Sequence, residues 1–231
     1  MLSFIVPAYN EERLLAATLE AIHAAARELG LSYEIVVADD ASTDATVTIA
    51  QAAGARVVTA EHRKISATRN SGARAAIGDR LVFVDADTLV NATVLRAAMA
   101  ALDAGAVGGG AEVDFDENAP RWGHATIRAV IAFMRLMRWA AGCFIFCTRE
   151  AFEAVGGFDE RQYAAEEIVL SAALKRRGRF VILRERVTTS SRKFDFHSPW
   201  QTGRMMVRMS LRGFAGSRRR DLTSFWYDGK R

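Results

Sequence analysis

The sequence predicts an α/β fold, a central and mostly parallel sheet flanked by helices. Three observations predict it. Short β-type runs alternate with helical patterns through the first ninety residues, which is how parallel strands joined by crossover helices read. The apolar runs end in polar clusters, "PAYN", "DDASTD" and "DAD", where such sheets bind ligands. No repeat, low-complexity tract or linker interrupts the 231 residues, so one continuous domain is expected, its second half completing the sheet.

The elements follow in order. "LSFIV" is a strand, and Asn10 followed by Glu11, Glu12 and the apolar series Leu14, Leu15, Leu19, Ile22 reads as a capped amphipathic helix. "YEIVVA" is the second strand, with a helix after Thr43 for which Thr43 or Asp44 would be the cap. "ARVVT", a helix from Ser66, "RLVFV" and a helix after Asn91 complete the first half, with Asp87 available to cap the last. Beyond residue 105, "AVGGGAEVDF" reads as a strand, 121–140 as a basic amphipathic helix, "CFIFC" as a strand, and 149–155 as a short helix ending at Gly156-Gly157. A helix from about Ala164 to Arg177 would end at a Gly178 C-cap. Each polar cluster taken singly is accounted for as a helix cap; three at one sheet edge point to a ligand crevice.

A composition of 50% hydrophobic and 25% charged residues suits a chain that buries a sizeable core. Cys143 and Cys147, four apart, match neither a disulfide framework nor a repeated metal-ligand pattern, and read as buried thiols in a reducing compartment. The N-terminus has no basic region leading into a long apolar segment, so it does not read as a signal peptide. The apolar run 129–134 is cut by Arg135 and Arg138, far short of the roughly 20 residues that span a bilayer. A cytoplasmic location is expected, with peripheral contact at the inner face of the membrane as its variant. The net charge of +4 concentrates in "GRMMVRMSLRGFAGSRRR" at 203–220. Such a stretch is a solvated face, a contact for anionic lipid, or a contact for a diphosphate. No nucleic-acid-binding signature accompanies it.

Asp85 and Asp87 end the strand "RLVFV" as Asp-x-Asp. In an extended segment alternate side chains share a face, and two carboxylates suit a hard cation, Mg²⁺ or Mn²⁺, that completes its shell with phosphate and water. A buried strand ending in uncompensated charge costs free energy, so a metal-diphosphate partner answers why the carboxylates stand there.

At these residues a family resemblance appears. "IVPAYNEE", "VVADDASTDAT", "ATRNSGARAAIGDRLVFVDADT", "AVGGFDE" and "AAEEIVL", in this order over about residues 2–190, resemble the inverting glycosyltransferases of family 2 with the GT-A fold. The resemblance implies a nucleotide-binding half at 1–105, an acceptor and catalytic half at 106–198 and a basic extension at 199–231. It implies that Pro7, Tyr9 and Asp40 contact the nucleotide, that Arg69 helps hold it, that Asp85 lies near ribose and metal, and that Asp87 ligates the metal. Glu167 falls where the family has the aspartate that serves as general base, with Glu166 as the alternative. His197 is either a third metal ligand or a solvated loop histidine, and Gln201 with Arg204 is similar to part of a motif of processive synthases, with Met205 in place of its tryptophan. The implied partners are a nucleotide-sugar donor and a hydroxyl acceptor. A lipid-linked acceptor is one reading of Trp122, Ile127, Ile131, Met134 and Met137 among arginines; a core stripe with a charged outer face is the other. A nucleotidyltransferase is the competing enzyme reading and lacks its expected early glycine-rich loop. A nucleotide-binding protein without turnover is the competing non-enzyme reading.

Overall fold

The computed structural model describes residues 1–116 and 133–191. Eight strands form one mixed sheet: β1 (Leu2–Ala8), β2 (Tyr33–Asp39), β3 (Arg56–Thr59), β4 (Arg80–Val84), β5 (Thr88–Leu89), β6 (Ala106–Phe115), β7 (Phe144–Thr148) and β8 (Arg179–Thr189), in the order β3-β2-β1-β4-β7-β6-β8-β5. The four strands β3, β2, β1 and β4 run parallel, β7 is antiparallel to β4 and β6, β8 is parallel to β6, and β5 is antiparallel to β8. The helices are α1 (Leu15–Glu28), α2 (Thr46–Ala52), α3 (Ile65–Ala75), α4 (Ala92–Asp103), α5 (Arg149–Ala154) and α6 (Glu166–Lys175).

Both faces of the central strands are covered, which is why they read as continuous apolar runs rather than alternating ones. Phe4, Val6, Ile35, Val37, Val82, Val84, Phe144 and Phe146 point into the core under α1 and α4. Their neighbours Ile5, Val36, Leu81, Phe83, Ile145 and Cys147 point into a second core with Phe152, Phe158, Leu170 and Leu174. Gly72 lets α3 lie tight on the sheet: a Cβ there would come within 2.5 Å of Ile5 Cγ2.

The register brings the strand ends together. Ala8 pairs with Asp39 and Asp39 with Thr59, so the loops after β1, β2 and β3 leave the same edge. Because β7 is antiparallel and Val84 pairs with Phe144, the residues before β7 reach that edge as well.

Several local expectations are corrected. Asn10 does not cap α1, which starts at Leu15; it sits at φ 53 and its Oδ1 accepts the Thr43 N–H at 2.8 Å, tying the first loop to the second. Asp44 serves α2 from one position outside its N-cap, accepting the Thr46 N–H at 3.0 Å. Asn91, not Asp87, caps α4 through Val94 N–H at 2.9 Å. Gly178 is not a left-handed cap; α6 ends at Lys175, and a Cβ at Gly178 would press within 2.6 Å of Val107 Cγ1. Cys147 is buried, which pushes its thiol up, but Cys143 is only half-buried. β5 and β8 were not expected; β8 is long, and its end delivers Thr189 and Ser190 to the loop carrying Asp87. The 121–132 part of the expected basic helix, His197, Gln201, Arg204 and the basic stretch 203–220 lie outside the described residues; 133–137 are helical.

Candidate active site

Arg69 is the hub of the crevice. It lies on α3, which buries Ser66 through Asn70 because the helix lies on the sheet and its side chains reach the 158–166 segment, and only 1% of the side chain is exposed. Its Nη1 donates to Glu166 Oε1 at 2.7 Å, and its Nη2 donates to Asp85 Oδ1 at 2.7 Å and to the Gly142 carbonyl at 2.9 Å. The guanidinium stands 5.3 Å from the Phe158 ring centroid, and its Nε finds no acceptor among the described residues. Burial disfavours the charge, but Asp85 and Glu166 outweigh it and push the guanidinium up, so Arg69 stays a fixed cation. Three chain segments, after β4, before β7 and at the start of α6, are thereby clamped to one side chain.

Glu166 and Glu167 open α6 after Ala165, which turns the chain at φ 60. Adjacent helical residues face different directions. Glu166 is buried against Arg69, whereas Glu167 is half-buried. Gly142 borders Arg69 and Glu167: a Cβ there would stand 3.4 Å from Arg69 Nη2 and 3.8 Å from Glu167 Cδ. Burial, then the neighbouring Glu166 carboxylate, push the Glu167 carboxyl up to about 8, with Arg69 opposing. The helix start is further held by Ser171, whose hydroxyl donates to the Glu167 carbonyl at 2.7 Å and accepts the Ala140 N–H at 3.0 Å.

The Asp-x-Asp segment follows β4. Asp85 N–H donates to the Cys143 carbonyl at 3.2 Å, and its own carbonyl accepts Thr88 N–H at 3.1 Å, folding 85–88 into a turn. The Asp87 carbonyl accepts Ser190 N–H at 3.1 Å, and the Thr189 hydroxyl stands 3.4 Å from Asp87 Oδ1. Oxygen donors of this kind fit a hard divalent cation. Among the described residues no group of three or more His, Cys, Asp or Glu could hold a metal by itself. Asp85 and Asp87 supply two carboxylates, so an ion held there would take the rest of its shell from a ligand and water, as Mg²⁺ commonly does.

On the other side of the crevice, Pro7 is buried in β1 opposite Ala38, and the Tyr9 ring is covered by the Arg63 guanidinium at 4.1 Å. Asp40 is buried with both oxygens engaged. Oδ1 accepts His62 N–H at 2.7 Å and Arg63 N–H at 3.0 Å, and Oδ2 accepts Lys64 N–H at 3.2 Å and the Thr68 hydroxyl at 3.0 Å. A carboxylate has about four lone-pair sites, so this one is filled by the loop that leads into α3 and by Thr68 in the helix's first turn. The structure thus brings Glu166, Asp85 and Arg69 into direct contact with Glu167 alongside, and sets Tyr9 and Asp40 against the 62–64 loop. Sequence reasoning missed Gly142, which acts through its carbonyl, and Arg63, which carries no motif. A groove between α1 and α2 lined by Ala16, Glu20, His23 and Ile49 contains none of these residues.

Residues 3–159 match the family model "Glycosyl transferase family 2". A curated relative, the undecaprenyl-phosphate 4-deoxy-4-formamido-L-arabinose transferase of Pseudomonas aeruginosa, is 39% identical over 95 residues, which is 38% of this chain and 28% of the relative. The enzyme of that name from Edwardsiella ictaluri is 36% identical over 97 residues, 37% of this chain and 28% of the relative. The match thus covers less than a third of the length of these relatives. Among solved structures, Staphylococcus aureus TarS 1–349 with UDP superposes with a TM-score of 0.65 at 20% identity, covering 84% of this chain and 62% of that one. Mannosyltransferase PcManGT from Pyrobaculum calidifontis, with GDP-Man and Mn²⁺, gives 0.67 at 20% identity, covering 94% and 62%. Glucosyl-3-phosphoglycerate synthase from Mycobacterium tuberculosis, with Mn²⁺, UDP and glucosyl-3-phosphoglycerate, gives 0.60 at 20% identity, covering 94% and 79%. At these identities the likeness is one of fold.

Proposed function

The chain belongs to glycosyl transferase family 2, and from that premise we propose that it transfers a sugar, with inversion, from a nucleoside-diphosphate donor to an acceptor in the Arg69 crevice. The observation that carries the reading is the clamp on Arg69, which sets Asp85 of the Asp-x-Asp turn and the α6 carboxylates around one edge of the sheet. Asp85 and Asp87 would hold a Mg²⁺ or Mn²⁺ ion, which when bound offsets the charge that gathers on a diphosphate leaving group.

The protein's own groups have separable tasks. Arg69 keeps one Asp85 oxygen in place and leaves the rest of that carboxylate for the ligand. Glu166 is buried against Arg69 and pairs with it through Oε1, so its task is that of counter-ion. Glu167 has no such cation pinned to it and is the general base: as the C1–oxygen bond to the diphosphate breaks and its electron pair leaves, the acceptor oxygen bonds to C1 from the opposite face and its proton passes to the Glu167 carboxylate. A carboxyl pushed up to about 8 is a stronger base than an ordinary one, at the cost of being mostly protonated at neutral pH. Asp40 serves the base subsite by holding the 62–64 loop against Tyr9, and Pro7 lines the strand end beneath.

A second acceptor class is favoured by a specific observation. The curated relatives carry undecaprenyl-phosphate in their names, and a phosphate monoester is already anionic near neutral pH, its second pKa being about 6. Such an acceptor attacks without a base, and a neutral Glu167 avoids repelling it.

The test is turnover of a panel of UDP- and GDP-sugars with Mn²⁺, against hydroxyl acceptors and against a polyprenyl phosphate, with the product anomer assigned by NMR. Release of nucleoside diphosphate with an inverted product is expected. Absence of any nucleoside-diphosphate binding in the presence of Mn²⁺ would overturn the reading.

A further inference from the structure

Six large hydrophobic side chains are exposed among the described residues, and three of them fall within five positions: Phe133 at 54%, Leu136 at 79% and Met137 at 41%. Their spacing of three and four puts them on one helical face. The opposite face is spent inward, since Met134 packs on the core and Arg135 pairs with Glu112 at 2.7 Å. Phe133 is propped edge-on by Trp139, ring centroids 5.8 Å apart. The helix ends where Arg138 turns at φ 52, and Lys175 Nζ of α6 donates to the Met137 carbonyl at 2.9 Å. The apolar tip is therefore fixed to the frame of the active-site helix.

Its surroundings are cationic. Residues 133–142 and 168–181 contain no Asp or Glu, yet they carry Arg135, Arg138, Lys175, Arg176, Arg177 and Arg179. Arg138, Arg176 and Arg177 are exposed and form no ion pair with another described residue. Exposed apolar side chains beside exposed cations are the composition of a surface that sits in the headgroup region of an anionic bilayer. No helix among the described residues is long and apolar enough to cross a membrane.

We infer that the Phe133–Leu136–Met137 tip and its collar of Arg138, Lys175, Arg176 and Arg177 dock the protein on an anionic lipid bilayer. The docking does not depend on the transferase reading. Where that reading holds, it adds a consequence: Glu167 lies nine residues from Arg176 along α6, about 13 Å at 1.5 Å per residue, so a lipid-borne acceptor would meet the crevice close to the bilayer surface.

The experiment is co-sedimentation of the full chain with phosphatidylcholine vesicles, with and without phosphatidylglycerol, at low and high salt and with no sugar nucleotide. The wild type should pellet with the anionic vesicles, less so as salt shortens the screening length. Phe133→Ser/Leu136→Ser and Arg176→Gln/Arg177→Gln should each weaken binding at least about tenfold, while Ile77→Ser, which removes an exposed apolar side chain elsewhere, should not. Thermal melts check that each variant folds. No pelleting at low salt, equal pelleting on uncharged vesicles, or retention by both double variants would overturn the proposal. So would a wild-type dimer that becomes monomeric in Phe133→Ser/Leu136→Ser without any vesicle binding, which would make the tip a contact for a second copy. Because no donor is present, failure here leaves the transferase reading standing, and failed turnover leaves the docking standing.

Discussion

Removing the Arg69 guanidinium should cost far more than a surface charge, and the cost should depend on Glu166. Arg69→Met keeps most of the stem and deletes three hydrogen bonds of 2.7, 2.7 and 2.9 Å. It leaves the Glu166 side chain, 7% exposed, facing a pocket with no cation, and frees Asp85, 26% exposed, to find water. Breaking a buried pair by removing one partner costs about 3–5 kcal/mol, chiefly from the stranded charge. Glu166→Gln alone keeps a hydrogen-bond acceptor for Nη1 and leaves Arg69 balanced by Asp85, so a cost of about 1–2 kcal/mol is expected. The double variant strands no charge, and its penalty should fall short of the sum of the singles by about 1.5–3 kcal/mol, within the range found for directly contacting residues. Urea denaturation of the four proteins at neutral pH measures the cycle. A coupling below about 0.5 kcal/mol would show that Glu166 is not the counter-ion of Arg69, and the separation of roles between Glu166 and Glu167 would fall with it.

Glu167→Gln should lower turnover with a hydroxyl acceptor by about 10²- to 10⁴-fold while leaving nucleotide affinity nearly intact; equal loss with a phosphate acceptor would rule out base chemistry as its cause. In the wild type, kcat/KM with a hydroxyl acceptor should climb as pH rises towards about 8 and the limb should vanish in the variant. The same raised carboxyl favours folding below its ordinary value of 4.5 and loses that contribution as pH rises through about 8, so the ligand-free wild type should lose stability over this window relative to Glu167→Gln. Asp87→Ala should abolish transfer and the metal-dependent part of diphosphate affinity, read by calorimetry with Mn²⁺ and with EDTA; unchanged metal dependence would remove Asp87 from the metal site. Asp40→Asn should destabilise by about 1–3 kcal/mol and speed hydrogen exchange at the 62–64 amides it now holds; unaltered exchange would show that the loop does not rely on it.

What the sequence determined by itself is local. β1 to β4, β6, β7 and the intervening helices were legible because runs such as "RLVFV" and "AVGGGAEVDF" are apolar along their length and bounded by turn residues. The convergence of "PAYN", "DDASTD" and "DAD" on one edge was legible too, since parallel strands expose their carboxyl ends on the same side. β5 was too short to read, and β8 follows its helix with little punctuation. What only the tertiary structure decided is which polar group spends its charge on which. Glu166 and Glu167 are neighbours with the same side chain, and no pattern tells them apart. They differ because Arg69, 97 residues before Glu166 in the chain, points at the first and only borders the second. Asp40 reads as a ligand contact in the chain, and in the fold its oxygens accept three backbone N–H groups more than twenty residues away together with the Thr68 hydroxyl. A carboxylate's availability depends on which donors the fold carries to it, and those donors are non-local backbone groups that every sequence has and that only the packing positions.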